Sequence, residues 1–454
     1  MKLIRELFRV ASANGIQVLS GVVLGFMLPK YLSLNQYANY KTYMLIVFFI
    51  DFINFGFPDG LYVSYGGRGL ETLDKSQLKS EHSFFFKLEI GLCLITLLVG
   101  FFTQSQMLML IGASIFPYNL NTFYKRIYQS TDRLSWYSNI VISLSLFNSI
   151  ICLIMLFVFS LRSAWVYCAI SIVAQVIVNF KENYRLRKWW KNQEISYNFH
   201  RYATIIRSGF IIMVGNIAVN LFLGIDRWFV RIFFDTHQFS YYSFAVSMLN
   251  IATTIFQAIS MSMFGFLAKS RTSENLRHLK DIIMVLGTFS SIAYFPLAII
   301  VKNYLPVYIP SLDIVSITMA IFPFLLYINT ITINLYKLEN RGRRYLTVML
   351  VMLLGIIIVD CLVVPFHDSR LIASATLICY FVWYLYSRFD THDGSRISFK
   401  EVIYLVIMTG SYLVTSHGNA FVGGLVYIGL WIAFTFCYVG VEGIKNVYRN
   451  IYRH

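Results

Sequence analysis

Charged residues are scarce in this sequence. Of its 454 residues only 13% are Asp, Glu, Lys or Arg, and 57% are hydrophobic, whereas soluble proteins carry about 25% charged residues. The mean hydropathy is +0.63. So little charge excludes a water-soluble domain or set of domains, and the sequence predicts a polytopic membrane protein. The many aromatic residues, 40 Phe, 31 Tyr and 7 Trp, are typical of the interfacial belts of such proteins.

Motifs of enzyme chemistry are also lacking. There is no P-loop, HExxH or GxSxG sequence, and the eight histidines show no ligand spacing. The cysteines lie inside apolar runs without a CxxC spacing, which favours small buried side chains over disulfides or metal ligands. These cysteines are Cys93, Cys152, Cys168, Cys361, Cys379 and Cys437. We therefore expect no enzyme activity, no cofactor and no bound metal.

Long apolar segments dominate the chain. About 20 residues are needed for a helix to span a bilayer, and segments of this kind predict about fourteen transmembrane helices. The segments are 10–28, 42–64, 83–103, 107–129, 138–160, 164–184, 208–233, 240–267, 282–301, 313–336, 345–365, 370–387, 401–416 and 421–443. The fold class expected is therefore an all-α polytopic membrane protein.

The distribution of Lys and Arg predicts the orientation. With a cytoplasmic N-terminus, the inner segments hold 31 of the 38 Lys and Arg residues, the outer loops hold five, and two lie within the seventh span. Because cytoplasmic loops are enriched in positive charge, both termini are predicted to be cytoplasmic. The net charge of +16 then reflects topology and attraction to anionic lipids. It does not indicate nucleic-acid binding, which would gather the charge on one soluble face.

A faint internal repeat divides the chain. Residues 32–40 (LSLNQYANY) match 234–242 (FDTHQFSYY) at an offset of 202, and later matches such as Asn121 with Asn329 have an offset of 208. An even number of helices per copy gives a parallel repeat. We expect an N-lobe of helices 1–6 in residues 1–200, a C-lobe of helices 7–12 in 201–394, and helices 13–14 with a tail in 395–454. Two facing bundles would suit alternating access.

Several stretches resemble the Wzx-type oligosaccharide flippases of the multidrug/oligosaccharidyl-lipid/polysaccharide exporter superfamily. The stretches are Asn14–Gln17, Leu28–Tyr40, Gly56–Gly60, Asp226–Arg227 and Gln238–Tyr242. The resemblance implies transfer of a polyprenyl-pyrophosphate-linked sugar repeat unit from the inner to the outer leaflet of the bacterial cytoplasmic membrane. It also implies partnership with a polysaccharide polymerase and assembly proteins.

Polar stripes inside the spans are the candidate glycan contacts. Amides and hydroxyls both donate and accept hydrogen bonds, which suits a varied glycan in a water-filled cavity. On the seventh span, Asn216, Asn220, Gly224, Arg227 and Arg231 are spaced as on one helical face. The expected cavity-lining residues are Asn14, Gln17, Asn216, Asn220, Ser247, Asn250, Thr254, Gln257, Thr330 and Asn334. Hydrogen bonding between packed helices is the alternative explanation.

Ionisable residues inside the spans are the remaining candidates, because charge at that depth is costly. Since the guanidinium fork binds two phosphate oxygens, the pyrophosphate contacts expected are Arg227 first, then Arg231, Lys87 and Lys125. Local ion pairs or interfacial snorkelling are the alternatives. Carboxylates that could couple transport to a proton or sodium gradient are Asp51, Asp59, Asp226 and Asp360.

Three functions compete at this point. A flippase for an anionic glycolipid agrees with the arginines and the amide-rich stripes. A small-molecule drug exporter of the same superfamily would need an acidic, aromatic cavity, and a membrane glycan polymerase would need a sizeable outer loop, which this sequence lacks.

Pro58, between Gly56 and Gly60, interrupts the second span and predicts a kink there.

Overall fold

The computed structural model describes the backbone of residues 2–269, 273–339, 341–390 and 399–451, and the side chains of 9–253, 279–336, 338–339, 341–390 and 399–438. Helices and short connections build all of this part of the chain, and it contains no strand. The nineteen α-helices are α1 Lys2–Tyr31, α2 Leu34–Val47, α3 Phe57–Tyr65, α4 Lys75–Phe102, α5 Gln106–Ser130, α6 Leu134–Phe157, α7 Ala164–Trp189, α8 Phe199–Phe222, α9 Ile225–Phe233, α10 Thr236–Lys269, α11 Ser273–Ser290, α12 Tyr294–Tyr304, α13 Leu312–Met319, α14 Phe322–Tyr327, α15 Ile333–Leu338, α16 Gly342–Val363, α17 Ser369–Asp390, α18 Phe399–Ser416 and α19 Ala420–Ile451.

A helix or a run of helices covers each of the fourteen predicted segments. Within the described residues, nine helices are long and apolar enough to cross a membrane, or up to eleven when each of two bent pairs counts as one span. The all-α polytopic fold class is thus confirmed, whereas the count of about fourteen spans stays a prediction.

Side-chain caps begin several helices. The Asp74 carboxylate accepts hydrogen bonds from the backbone of Ser76 and Gln77 at the start of α4, and Ser105 caps α5 through Leu108. Such caps satisfy amide groups that the first helical turn leaves without a partner. They define where α4 and α5 begin, and α5 is one of the helices that form the site.

Two compact units make up the chain, Met1–Leu221 and Phe222–His454. These are called the first unit and the second unit. The boundary between them falls at the end of α8. The predicted division into 1–200, 201–394 and 395–454 rests on the repeat, and it stays a prediction.

The second span is broken, as Pro58 and its flanking glycines predict. A 3₁₀ segment, Ile50–Asn54, follows α2, and α3 is bent by 60° relative to the helix before it. Phe55 and Gly56 adopt left-handed backbone angles, with φ of 52° and 74°. The side chain of Asn54 accepts a hydrogen bond of 2.8 Å from the Gly56 amide, which stabilises the turn.

Close backbone contacts at glycines hold the break in the second span against α8. A Cβ atom on Gly209 would lie 2.0 Å from the Gly56 carbonyl oxygen, and one on Gly60 would lie 2.1 Å from the Ile205 carbonyl oxygen. The backbones of α3 and α8 can approach this closely only because side chains are absent, as in other membrane helix pairs. The contact brings α8 into the first unit beside the second span.

The second unit contains the last two helices. Arg388 on α17 forms a buried ion pair of 2.6 Å with Glu401 on α18 and donates a hydrogen bond to Tyr327. Tyr427 on α19 donates to the Thr288 carbonyl on α11. Helices α18 and α19 are therefore packed into this unit by polar contacts as well as apolar ones.

Candidate functional site

A polar pocket of about 230 Å³ opens inside the first unit. Four elements surround it: the end of α2 with the 3₁₀ segment, the start of α3, the last third of α5, and α8. Its lining residues are Phe48, Phe49, Asp51, Phe52, Asp59, Arg126, Met213, Asn216, Ile217, Val219 and Asn220. The broken second span is what places two carboxylates and three phenylalanines in this pocket.

Arg126 is the cation of the pocket. Its guanidinium forms a 2.8 Å ion pair with Asp59 and lies over the ring of Tyr62 at 5.8 Å. The Arg126 side chain is 30% exposed, so part of its donor fork faces the pocket. Within the described residues, its Nε atom is buried and has no hydrogen-bond partner. Asp59 neutralises the arginine without occupying all its donors, which leaves room for an anionic ligand.

Asp51 lies at the exposed side of the same pocket. It accepts a hydrogen bond of 3.2 Å from Thr122 on α5, and it interacts electrostatically with Lys125, which is half-buried on the same helix. The position of Asp59 in the first turn of α3 is favoured because the amino end of a helix stabilises negative charge. Two acidic and two basic side chains thus lie together.

The pocket unites four of the predicted site residues and adds one that the sequence did not predict. Asp51 and Asp59 were predicted for ion coupling, and Asn216 and Asn220 for glycan contact. Arg126 was not predicted because it follows Lys125 at the inner end of a span, where positive charge is explained by the orientation of the protein in the membrane. The sequence feature that could have identified Arg126 is its position one helical turn after Thr122, on the polar face of α5.

A pair of buried carboxylates lies in the second unit. Asp226, in the first turn of α9, accepts hydrogen bonds from the Arg227 amide at 2.8 Å and from the Tyr242 hydroxyl at 2.7 Å. Asp360 on α16 is fully buried and interacts electrostatically with Asp226. Among the described residues, neither carboxylate oxygen of Asp360 has a hydrogen-bond partner. Like charges cannot be buried together without a proton or a cation.

Three of the other predicted phosphate contacts are not among the residues that line the pocket. Arg227 is half-buried next to Asp226, and Arg231 lies over the Phe239 ring at 5.6 Å. Lys87 donates a 2.6 Å hydrogen bond to the hydroxyl of Tyr197 in the loop before α8. That bond lowers the pKa of Tyr197. None of these three lines the pocket, and their roles stay predictions.

The expected polar face of the seventh span is not continuous. Helix α8 ends at Phe222, and α9 begins at Ile225, so Asn216 and Asn220 lie on one helix, and Arg227 and Arg231 on the next. The prediction of a single helical face is therefore wrong. Gly224, which lies between the two helices, marks the break because it lacks the side chain that would favour helix.

The remaining predicted glycan contacts lie on α1, on α10, and on the π-helical segment Ile328–Thr332 with α15. Asn14 is half-buried and Gln17 exposed on α1. Ser247 bonds to the Ser243 carbonyl within α10, where Asn250 is exposed. Thr330 and Asn334 are buried, and the Asn334 amide donates to the Thr330 carbonyl at 2.9 Å. The side chains of Thr254 and Gln257 lie outside the described residues.

Comparisons with known proteins agree with this architecture. No protein-family model matches the sequence, and no curated protein matches it. Among solved structures, the lipid II flippase MurJ in an inward closed conformation matches with a TM-score of 0.68 and 14% identity, over 98% of this chain and 100% of that chain.

Multidrug resistance MATE family transporters of the MOP superfamily also match. An inward-facing conformation has a TM-score of 0.59 and 12% identity, over 84% of this chain and 97% of that one. An outward-facing conformation has a TM-score of 0.52 and 12% identity, over 89% and 96%. The chain therefore has the fold that the MurJ flippase shares with transporters of the MOP superfamily.

Proposed function

We propose that this protein is a flippase that moves a polyprenyl-pyrophosphate-linked oligosaccharide from the inner to the outer leaflet of the bacterial cytoplasmic membrane. The observation that carries the proposal is Arg126, a partly exposed guanidinium in a pocket that also presents Asn216 and Asn220. The full-length similarity to a lipid II flippase supports a lipid-linked substrate.

The size of the pocket limits what it can hold. Pockets for drug-sized ligands have volumes of about 300–1,000 Å³, and this one has about 230 Å³. It therefore fits the phosphate head group with the adjoining sugar, and the rest of the glycan and the polyprenyl tail lie elsewhere. A pyrophosphate entering the pocket competes with Asp59 for Arg126, since both bind the same guanidinium.

Competition at Arg126 gives a direct test of the substrate's charge. In Asp59→Asn, Arg126 loses its carboxylate partner and should bind inorganic pyrophosphate or a polyprenyl pyrophosphate more tightly, as measured by titration calorimetry of the purified protein. Asp313→Asn is the matched control because Asp313 is exposed and pairs with Arg370. Unchanged pyrophosphate binding in Asp59→Asn would contradict an anionic substrate at this pocket.

Export of cationic drugs is the second candidate function, favoured by the acidic pair Asp51 and Asp59 beside Phe48 and Phe52. The MATE transporters of the same fold support it. For a cationic ligand, Asp59→Asn should weaken binding. Efflux of a cationic dye from cells that express the protein, blocked by Asp59→Asn, would favour this function over the flippase.

Coupling to an ion gradient is assigned to Asp226 and Asp360 in the second unit, as part of the same proposal. Asp360, buried without a hydrogen-bond partner among the described residues, needs a proton or a monovalent cation to offset its charge, and Asp226 interacts electrostatically with it. Asp51 and Asp59 are then coupled to the substrate rather than to this ion.

The cellular test is the fate of the lipid-linked glycan. A deletion strain should accumulate polyprenyl-linked repeat units on the inner leaflet and lack the surface polysaccharide, because the polymerase and assembly proteins outside receive no substrate. Mass spectrometry of lipid extracts measures the accumulation. In a separate experiment, reporter fusions test whether both termini are cytoplasmic. Normal polysaccharide without lipid-linked accumulation would contradict the proposal.

A further inference from the structure

Among the described side chains of the first unit, three glutamates are completely buried, and their partners differ. Glu81 binds Arg201 at 2.7 Å and accepts a hydrogen bond from Tyr65. Glu182 binds Arg185 and accepts from Tyr128. Glu89, in the middle of α4, has no cationic partner among the residues whose side chains the structure describes. Its surroundings therefore set it apart from the two that form ion pairs.

The Glu89 carboxyl accepts a hydrogen bond from one side-chain amide. Asn119 on α5 donates a hydrogen bond of 2.7 Å to Glu89 Oε2. Within the described residues, Oε1 is buried without a partner. A buried carboxylate that lacks a cation costs far more free energy than the neutral acid. The geometry of this site thus suits the protonated form.

A chain of hydrogen bonds connects Glu89 to the break in the second span. The Asn119 oxygen accepts a hydrogen bond from the Asn54 amide, with 3.5 Å between the two atoms, and the Asn54 oxygen accepts from the Gly56 amide at 2.8 Å. Gly56 is the residue with a left-handed φ between the 3₁₀ segment and α3. A change in the hydrogen bonds of Glu89 therefore alters the hydrogen bonds of Asn119 and Asn54, and with them the bond that stabilises the Gly56 turn.

Among the described residues, the groups that interact with Glu89 do not supply a positive charge. From the second span, Asp51 interacts electrostatically with Glu89, and α5 presents the neutral Asn119. On α4 itself, Cys93 lies one helical turn further on. Because Asp51 also lines the pocket, a change of charge at Glu89 acts electrostatically on a residue of the pocket.

We propose that Glu89 is a proton-binding site of the first unit, and that the bound proton holds the second span in its broken form. Loss of the proton leaves a carboxylate with one donor, so it recruits further donors or water. The asparagine pair then reorients, and the Gly56 turn loses its hydrogen bond to Asn54.

The test has two readouts on the purified, substrate-free protein. Infrared spectroscopy as a function of pH measures the carbonyl band of protonated carboxyl groups, and hydrogen–deuterium exchange measures the opening of residues 48–60. In the wild type, a carboxyl band should disappear as pH rises while exchange in 48–60 increases. Glu89→Gln, which keeps the acceptor for Asn119, should lack that band and show low exchange at every pH.

Glu182→Gln is the matched control, because it makes the same change at another fully buried glutamate of the first unit. It should retain both transitions. Asn54→Ala should retain the infrared transition and lose the pH dependence of exchange, since it interrupts the chain of hydrogen bonds. The proposal is overturned if Glu89→Gln retains the titrating band, or if exchange in 48–60 has the same pH dependence in Glu89→Gln as in the wild type.

Discussion

Arg126 lies near the end of α5, and Arg133 lies seven residues later, directly before α6, yet their side chains meet different surroundings. Arg126 lines the pocket and shares its charge with Asp59. Arg133 forms an ion pair with the exposed Glu71 and lies over the Trp136 ring at 5.4 Å. One arginine is therefore placed for a ligand, and the other anchors a helix end.

We predict that Arg126→Gln weakens pyrophosphate binding roughly tenfold to a hundredfold, because a hydrogen bond to a charged group contributes about 1.5–3 kcal/mol. Arg126→Lys should restore only part of the affinity, since an ammonium lacks the planar fork. Titration of the purified variants with inorganic pyrophosphate measures the change. Arg133→Gln serves as the control and should bind like the wild type; equal loss in both variants would contradict a specific role for Arg126.

We predict that Asp360→Asn abolishes the dependence of transport on its coupling ion. The asparagine keeps the size of the side chain and removes the charge that a proton or cation offsets. Transport into proteoliposomes is measured with a proton gradient alone and with a sodium gradient alone. If the stimulation by either gradient survives in Asp360→Asn as in the wild type, Asp360 is not the coupling residue.

At the scale of elements, breaks in the helices build the polar pocket. The turn at Phe55–Gly56 carries Asp51 and Asp59 to the same cavity, and α8 closes it with Asn216 and Asn220. A continuous second span would separate those carboxylates along its axis by eight residues, which is about 12 Å at 1.5 Å per residue. The site depends on the close packing of α3 against α8.

We predict that Gly209→Ala destabilises the protein by about 1–3 kcal/mol, the usual cost of overpacking, and lowers transport. Its Cβ would overlap the Gly56 carbonyl oxygen. Gly215→Ala on the same helix is the matched control, because no described atom beyond the neighbouring backbone of α8 lies within 4 Å of its added Cβ, and alanine favours helix over glycine. Thermal unfolding in detergent compares the two, and equal midpoints would show that the α3–α8 contact tolerates a methyl group.

The sequence predicts some of these elements and does not predict others. The helical membrane fold follows from scarce charge and long apolar segments, and the break at Gly56–Pro58 follows from backbone chemistry. The break before Ile225 was not predicted, since a lone glycine inside an apolar run is often helical. Arg126 was missed for a different reason: its partner Asp59 is distant in sequence, and a single sequence does not reveal which spans touch.

At the scale of the whole molecule, the membrane potential acts on the proposed cargo. A pyrophosphate carries about two negative charges, and one charge crossing the full potential gains about 2.3 kcal/mol per 100 mV. With the interior negative, outward transfer of an uncompensated anion therefore gains on the order of 4–5 kcal/mol per 100 mV. Export of a cation works against the same field.

We predict that an imposed potential, negative on the cytoplasmic side, accelerates flipping in oriented proteoliposomes without any proton or sodium gradient. The opposite potential should slow it. A fluorescent polyprenyl-pyrophosphate glycan and a quencher in the outer medium follow the rate. A rate indifferent to both signs would indicate electroneutral exchange and would make ion coupling the main driving force.

The contact between Gly209 and the Gly56 turn also bears on how the protein is made. Because α8 packs in the first unit, that unit is complete once residue 221 has left the ribosome, before α9 emerges from it. Domains generally fold in order of synthesis. A nascent chain arrested after α7 would lack the helix that covers the second span, whereas one arrested after α8 would already contain the finished pocket.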